Sequence, residues 1–350
     1  MNIVENGISA IPGYTYSAIE CNIRYKDRLD YALISHSSLC NAAGVFTQNK
    51  IAAAPVKLCK ARIDQPIKAI LINATNANAC TGDLGITNAE NLTKDIAEKL
   101  HVDAPAVLMA STGIIGHQLP TQLMLESHDT LITQLNQNNA SKVADAILTT
   151  DTHPKELCVS FETSTGLYHL GGFAKGSGMI APNMATLLSF LLTDAPINKK
   201  TLNEIFKNVI NQTLNCITID GDTSTNDTAI ILSPISENYL HNKKDIEAFE
   251  EALFFILNRL AEMLVKDGEG VTKSVKIIVQ NAPTIDEAKT IAKSVSESLL
   301  VKTAIFGKDP NWGRIAMAVG NADANIKEEK LSISIGNVPL LVNGTPVSYN

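Results

Sequence analysis

No cluster of lysine and arginine stands out anywhere in the 350 residues. The 29 basic side chains are outnumbered by 36 acidic ones, for a net charge of −7, so the electrostatic footprint of a nucleic-acid binder is missing. The opening stretch, residues 1–21, has neither a basic leader nor a continuous apolar run, which argues against a secretory signal and for a cytoplasmic protein. A membrane-length apolar run is missing too. The most apolar long stretch, 248–265, carries Glu250, Glu251, Arg259 and Glu262. The six cysteines (Cys21, Cys40, Cys59, Cys80, Cys158 and Cys216) form no C-x-x-C pair and read as thiols in a reducing compartment. Without paired Cys/His spacing, no metal site is expected. There is no internal repeat, linker or low-complexity segment.

What is present is apolar content sufficient for a sizeable core: 45% of residues are hydrophobic and only 19% charged. Short apolar runs at 31–34, 42–46, 52–56, 69–72 and 106–110 read as strands. Residues 87–100 suit a helix capped by Thr87 or Asn88, and 141–149 and 198–213 are also helical in pattern. The stretch 156–174 reads as a hairpin turning at Ser164-Thr165-Gly166. The clearest helix is 243–265, where Ile246, Phe249, Leu253, Ile256, Leu260 and Met263 fall on one face. Beyond it, an apolar run at 275–279, a helix at 284–298, a strand at 300–306, a helix from Trp312 and a hairpin turning at Asn343-Gly344 complete the pattern. Mixed strands and helices with several hairpins predict an α+β class rather than a doubly wound sheet.

Five stretches can carry chemistry. In K-G-S-G-M-I-A-P-N-M-A-T (175–186), Gly176, Gly178 and Pro182 permit an unusual turn just before Thr186. A threonine placed there suits self-cleavage, which would leave its hydroxyl beside its own free amine. An ordinary loop entering a core strand is the plainer reading, and a phosphate loop fails because the lysine precedes the glycines. In S-T-G-I-I-G (111–116), a threonine hydroxyl and a glycine N–H can face a developing oxyanion, or simply end a strand. In T-I-D-G-D-T-S-T-N-D-T (218–228), a calcium loop fails because Thr225 and Ile231 occupy the positions of its glycine and glutamate, so a self-bonded Asp/Thr loop is favoured. Glu269 sits on a glycine-flanked turn in K-D-G-E-G-V-T-K (266–273). G-K-D-P-N-W-G-R-I (307–315) holds the only tryptophan, which reads as core. No histidine pairs with a serine or cysteine at triad spacing.

Taken together and in this order, with A-A-G-V-F-T-Q-N (42–49), A-A-P-V (53–56) and N-A-N-A-C-T-G (76–82), these stretches closely resemble the ornithine acetyltransferase (glutamate N-acetyltransferase) family from about residue 7 to about 348. The resemblance implies an α-β-β-α sandwich akin to that of the self-processing aminopeptidases. It implies cleavage between Ala185 and Thr186 into an α chain (1–185) and a β chain (186–350), with two of each in the assembly. Thr186 would be the nucleophile that carries acetyl from N-acetylornithine to glutamate in arginine biosynthesis. Thr112 and Gly113 would form the oxyanion hole, and Thr152, Lys175, Thr186 and Glu269 would bind substrate. No cofactor is implied, and acetyl-CoA enters only as an alternative acetyl donor. Lys175 suits the substrate carboxylate and Glu269 the distal ammonium of ornithine. Family members continue past 338–347 into a closing strand, whereas this sequence stops at Asn350, so the expectation is that the closing segment is absent. Two rivals stand beside the transferase: a self-processed amidase or aminopeptidase with water as acceptor, and a truncated inactive member. The roles of Asp222, Asn226, Asp227 and Arg314 are left open.

Overall fold

The computed structural model describes residues 1–181 and 187–348. It divides into two compact units, Met1–Glu269 and Gly270–Asn350.

The first unit begins with β1 (Asn2–Ile3), β2 (Tyr14–Ile19) and β3 (Tyr31–Phe46), then α1 (Ala54–Arg62), β4 (Ile67–Asn73), α2 (Gly82–Lys99) and β5 (Val107–Ser111). It continues through α3 (Thr121–Thr133), α4 (Ala140–Ala146), β6 (Lys155–Thr163), β7 (Gly166–Lys175), β8 (Leu188–Thr193), α5 (Lys199–Gln212), β9 (Thr228–Pro234) and α6 (Lys243–Lys266). Among the described residues its strands form one nine-stranded sheet.

That sheet folds over on itself at β3. The first half of β3 pairs with β2 on one side and β4 on the other, and β5 adds to β4 in parallel. The second half, Cys40 to Phe46, pairs with β9, which leads on to β8, β7, β6 and β1. The register breaks between Ser35 and Cys40. Ser37, Ser38 and Leu39 are exposed there, and the His36 imidazole holds the break together by bonding Ser38 N at 3.0 Å. Gly13, at φ +85°, leaves room for that ring: a Cβ would lie 2.4 Å from His36 Nε2.

Strand alternation then separates the layers. Leu188, Phe190, Leu192, Ile230 and Leu232 face the core shared with Tyr14, Tyr31 and the first layer. Leu187, Leu191, Ala229 and Ile231 face the other way, onto Phe206 and Val209 of α5 and Phe249, Leu253 and Ile256 of α6. Helices α1 and α2 pack on β5, and α3 and α4 on β2. The result is the expected α-β-β-α order. The Tyr14 hydroxyl crosses between the sheets to Leu232 O at 3.0 Å. Burying each large side chain of α6 contributes about 1.5–3 kcal/mol, which is why the strongest apolar stripe in the sequence is also the most reliable element.

By register, Tyr31 is level with Asn73 and Ser111, and Phe46 with Thr228, Leu188 and Lys175. The two ends of β3 thus lie at the mouth of a V whose vertex is the His36 break.

Three local expectations change. Residues 52–56 enter α1 rather than a strand, because Pro55 sits in the first helical turn, where its fixed φ is favourable and its missing N–H costs nothing. Helix α2 starts at Gly82, five residues early. Thr87 and Asn88 lie inside it: Thr87 bonds back to Asp83 O, and Asn88 bonds Gln118. The third change is in the second unit.

That unit holds α7 (Ile285–Glu297), α8 (Leu299–Phe306), α9 (Trp312–Gly320) and a meander of β10 (Ile333–Ile335), β11 (Val338–Val342) and β12 (Thr345–Pro346). Residues 300–306 are helical, capped by Ser298 onto Val301 N, and 275–279 form no strand. Short apolar runs without alternation do not distinguish the two states. The turn at Asn343-Gly344 has positive φ at both residues, as a two-residue hairpin turn demands. Among the described residues no helix is long and apolar enough to cross a membrane.

Candidate active site

The mouth of the V brings together the end of β5, the end of β7, the loop before β6 and the turn after α6. The first wall is the S-T-G-I-I-G loop, laced to the loop that follows β4. Thr112 N donates to Asn73 O, Ala77 N to Ile114 O and Ile114 N to Thr75 O. Gly113 has φ +132°, and a Cβ there would lie 2.2 Å from the carbonyl carbon of Thr75. No other residue fits. Thr75 is itself held at φ +72°, an outlier for a β-branched residue that costs on the order of 1–3 kcal/mol. Asn226 pins both loops from the second layer, donating to Ala77 O at 2.6 Å and Ser111 O at 2.8 Å. One of the residues with an open role is therefore a brace.

The second wall is the last residue of β7. Lys175 is 7% exposed, and its ammonium donates to Thr149 Oγ1 at 2.7 Å and Thr112 Oγ1 at 3.2 Å, with Asp151 Oδ2 at 3.7 Å. Burial pushes its pKa below the ordinary lysine value, and the Asp151 charge only partly opposes this. Because the Thr112 oxygen accepts from an ammonium, its own proton is available to donate elsewhere.

The third wall joins the loop T-T-D-T (149–152) to the turn after α6. Asp151 accepts from Lys155 at 2.8 Å and from Gly176 N at 2.6 Å. Its burial favours the neutral form, but the two lysines and that N–H outweigh this and lower its pKa. Asp267, the residue that ends α6, accepts from Lys155 at 2.6 Å, from Thr152 N at 3.0 Å and from the Thr152 hydroxyl. Burial again works against the charge, and again the bonds from Lys155 and Thr152 win, bringing the pKa to about 2. Two residues on, Glu269 N donates to Ser177 O at 2.7 Å, and a Cβ on Gly178 would lie 2.7 Å from the Glu269 carboxyl carbon. Gly178 is thus a seat for that carboxylate.

Thr112, Gly113, Thr152, Lys175 and Glu269, chosen on sequence, all fall in this one region. Ala185 and Thr186 lie outside the described residues. Their described neighbours are fixed on both sides. Upstream, Asp220 caps Met179 N and Ile180 N at 2.5 and 2.8 Å, and Thr223 bonds Ala181 O at 2.9 Å. Downstream, Thr228 N donates to Leu187 O at 3.0 Å, and Leu188 pairs with Lys175. Asp222 N bonds Asp220 Oδ1 within that same loop, while Asp227 is buried near Lys175 and adds a favourable charge to it. Arg314 belongs to the second unit, where it ties α9 to Leu300 O and Thr303 of α8. Sequence reasoning missed Thr149, Asp151, Lys155 and Asp267. The one available hint was a threonine-rich loop with an aspartate and a lysine four apart. Among the described residues no group of three or more His, Cys, Asp and Glu is placed to hold a metal.

A protein-family model described as the ArgJ family matches residues 15–350. The arginine biosynthesis bifunctional protein ArgJ of Caldanaerobacter subterraneus subsp. tengcongensis is 42% identical, over 100% of this chain and 89% of that protein. The glutamate N-acetyltransferase of Methanocaldococcus jannaschii is 38% identical, over 99% of this chain and 87% of that protein. Among solved structures, the PH0078 protein of Pyrococcus horikoshii superposes with a TM-score of 0.51 at 13% identity, covering 77% of this chain and 88% of that one, a likeness of fold alone. A full-length match at this identity, on a chain whose glycine, lysine and threonine positions converge on one mouth, places the protein in the ArgJ family.

Proposed function

We propose that this chain is a self-cleaving acetyltransferase that moves acetyl from N-acetylornithine to glutamate through an acetyl-Thr186 ester. The observation that carries the reading is the Lys175–Thr112–Gly113 arrangement. It is a charged donor behind a hydroxyl, beside a backbone N–H that only glycine can present, with Leu188, two residues beyond Thr186 in sequence, paired to Lys175.

Self-cleavage begins with the Thr186 hydroxyl adding to the Ala185 carbonyl. The acyl group shifts from nitrogen to oxygen, and water hydrolyses the ester. The α chain gains a carboxylate at Ala185, and the β chain gains a free amine at Thr186. In transfer, that amine takes the hydroxyl proton as Oγ attacks the acetyl carbonyl of N-acetylornithine. The tetrahedral oxyanion accepts from the Thr112 hydroxyl and Gly113 N–H, each such donor contributing about 3 kcal/mol. Collapse expels the α-amine of ornithine, which takes the proton. Glutamate's amine then attacks the ester by the reverse path, leaving N-acetylglutamate and free Thr186. Lys175 offers positive charge to the substrate carboxylate and, through Thr112, to the oxyanion. Glu269, on its Gly178 seat, faces the distal ammonium. The working assembly in this reading has two α and two β chains, and no cofactor takes part.

The test is mass spectrometry of freshly purified protein followed by an exchange assay. Two fragments cut before Thr186, a 42-Da adduct on the β chain after N-acetylornithine, and transfer to glutamate are expected. An uncut, unlabelled polypeptide refutes the reading. Cleavage with acetate release but no transfer favours the amidase alternative. A parallel arm with acetyl-CoA decides whether it too donates.

A further inference from the structure

Lys155 is the first residue of β6, and its side chain has no exposed surface. A lysine completely removed from water is rare unless paired, and this one is paired twice, with Asp151 at 2.8 Å and Asp267 at 2.6 Å. The two carboxylates belong to separate segments. Asp151 lies in the loop that presents Thr149 to Lys175 and Thr152 to the mouth, and it also holds Gly176 N. Asp267 ends α6 and leads in two residues to Glu269. Asp267 also accepts directly from Thr152 N and the Thr152 hydroxyl and lies 3.4 Å from His153 Nδ1, so the ammonium reinforces a seam that already joins the two segments. Lys155 shares the Asp151 carboxylate with Lys175 and opposes that lysine's charge, and it reaches Glu269 through the Asp267 segment it binds.

We propose that Lys155 is a positioning residue whose buried ammonium sets the separation between Glu269 and the Thr152–Lys175 side of the substrate site. The chemistry favours a lysine here. Its compact ammonium can be shared by two carboxylates arriving from different directions, whereas a planar guanidinium prefers one carboxylate in a fork. The four charges Lys155, Lys175, Asp151 and Asp267 sum to zero, so each buried ammonium has a carboxylate to offset it. The short Asp267-Gly268-Glu269 link leaves little slack. A Cβ on Gly268 would lie 3.2 Å from the Ile219 side chain, so the turn runs close against it. A displacement of Asp267 is expected to shift Glu269, two residues on.

The inference rests on the reading that Glu269 and Lys175 bind the substrate, and its test separates the two. Lys155→Met alone leaves Asp267 buried with less compensation and threatens folding. The informative variants are therefore the charge-balanced pair Lys155→Met/Asp267→Asn, which keeps Lys175–Asp151 intact, and Asp267→Asn alone, which keeps Lys155 and an amide oxygen able to accept from Thr152. Each is made in the full chain. The pair must exceed the single in its effect on KM; equal effects would assign the change to the Asp267–Thr152 bonds and overturn the role of Lys155. Expected are normal self-cleavage, a KM for N-acetylornithine raised at least tenfold with kcat within threefold per acetyl-labelled site, and faster hydrogen exchange in the peptide containing Glu269 N–H. An unchanged KM, or a loss of activity that only tracks loss of labelled sites, overturns the proposal, because a merely structural role moves the amount of active enzyme and not the KM. The exchange measurement stands even if wild-type protein transfers no acetyl: unaltered protection at Glu269 then overturns the joint on its own.

Discussion

The ammonium of Lys175 donates to the hydroxyl of Thr112 across 3.2 Å, joining the end of β7 in one layer of the folded sheet to the loop after β5 in the other. A cation on the accepting side of a hydroxyl strengthens that hydroxyl as a donor. The two residues should therefore act as one unit.

Replacing Thr112 with Val should lower kcat by roughly 10²- to 10³-fold, the usual loss for one oxyanion donor. Lys175→Met should also lower it. The double variant should fall well short of the product of the two losses, because once the hydroxyl is gone the ammonium has nothing to polarise. Single-turnover acetylation of Thr186 is the measurement. Multiplicative losses would show that the two act separately.

The same contact predicts a pH dependence. Burial lowers the pKa of Lys175, so its proton is lost at a lower pH than from an ordinary lysine. As pH rises through that value the charge behind Thr112 disappears and acetylation slows. An alkaline limb in kcat, lying below about pH 10.4, is expected, and Lys175→Arg should remove the limb whatever its effect on the maximum.

Gly113→Ala should be severe for two independent reasons. The backbone is at φ +132°, and the new methyl would lie 2.2 Å from Thr75. The cost should exceed the about 1 kcal/mol of an ordinary Gly→Ala strain, since backbone must move. Chemical denaturation gives the stability loss. Acetylation of whatever remains folded should also fail, because moving this N–H moves the oxyanion donor.

Asp267 predicts behaviour in acid. Its carboxyl titrates at about 2 in the folded chain against about 4 when unfolded. A depressed acid stabilises the fold above the unfolded value and loses that contribution as pH falls through the folded one. Linkage puts the contribution at about 2.5 kcal/mol, fully present above pH about 5 and gone by about pH 1. Asp267→Asn should therefore be less stable than wild type at pH 7 and show a flatter decline between pH 4 and 2, read from urea midpoints. A parallel decline in both proteins would refute the assignment.

Helical periodicity in the sequence revealed α6, the Ser164-Thr165-Gly166 turn revealed the hairpin of β6 and β7, and short apolar runs revealed β4 and β5, which are buried along nearly their whole length. The same signal misled at 52–56 and 300–306, because a short apolar run fits a buried helix as well as a buried strand. The site was legible in part. Gly113 and Gly178 stand out as glycines with a steric reason, and Lys175 and Glu269 as isolated charges among small residues. Lys155 and Asp267 were invisible, since nothing in a sequence distinguishes a buried charge from a solvated one. Their pairing spans 112 residues of chain and exists only after β6 and α6 have docked.

The folded-over strand β3 has a mechanical consequence. Its second half, from the His36 break to Phe46, acts as a lever arm of about 20 Å at roughly 3.3 Å per residue. A rotation of about 3° at the fulcrum therefore swings the far tip by about 1 Å, a displacement that alone can cost two orders of magnitude in rate. Substitution at Gly13 or His36, remote from any reacting atom, is accordingly expected to disturb catalysis through the angle of the two layers as well as stability.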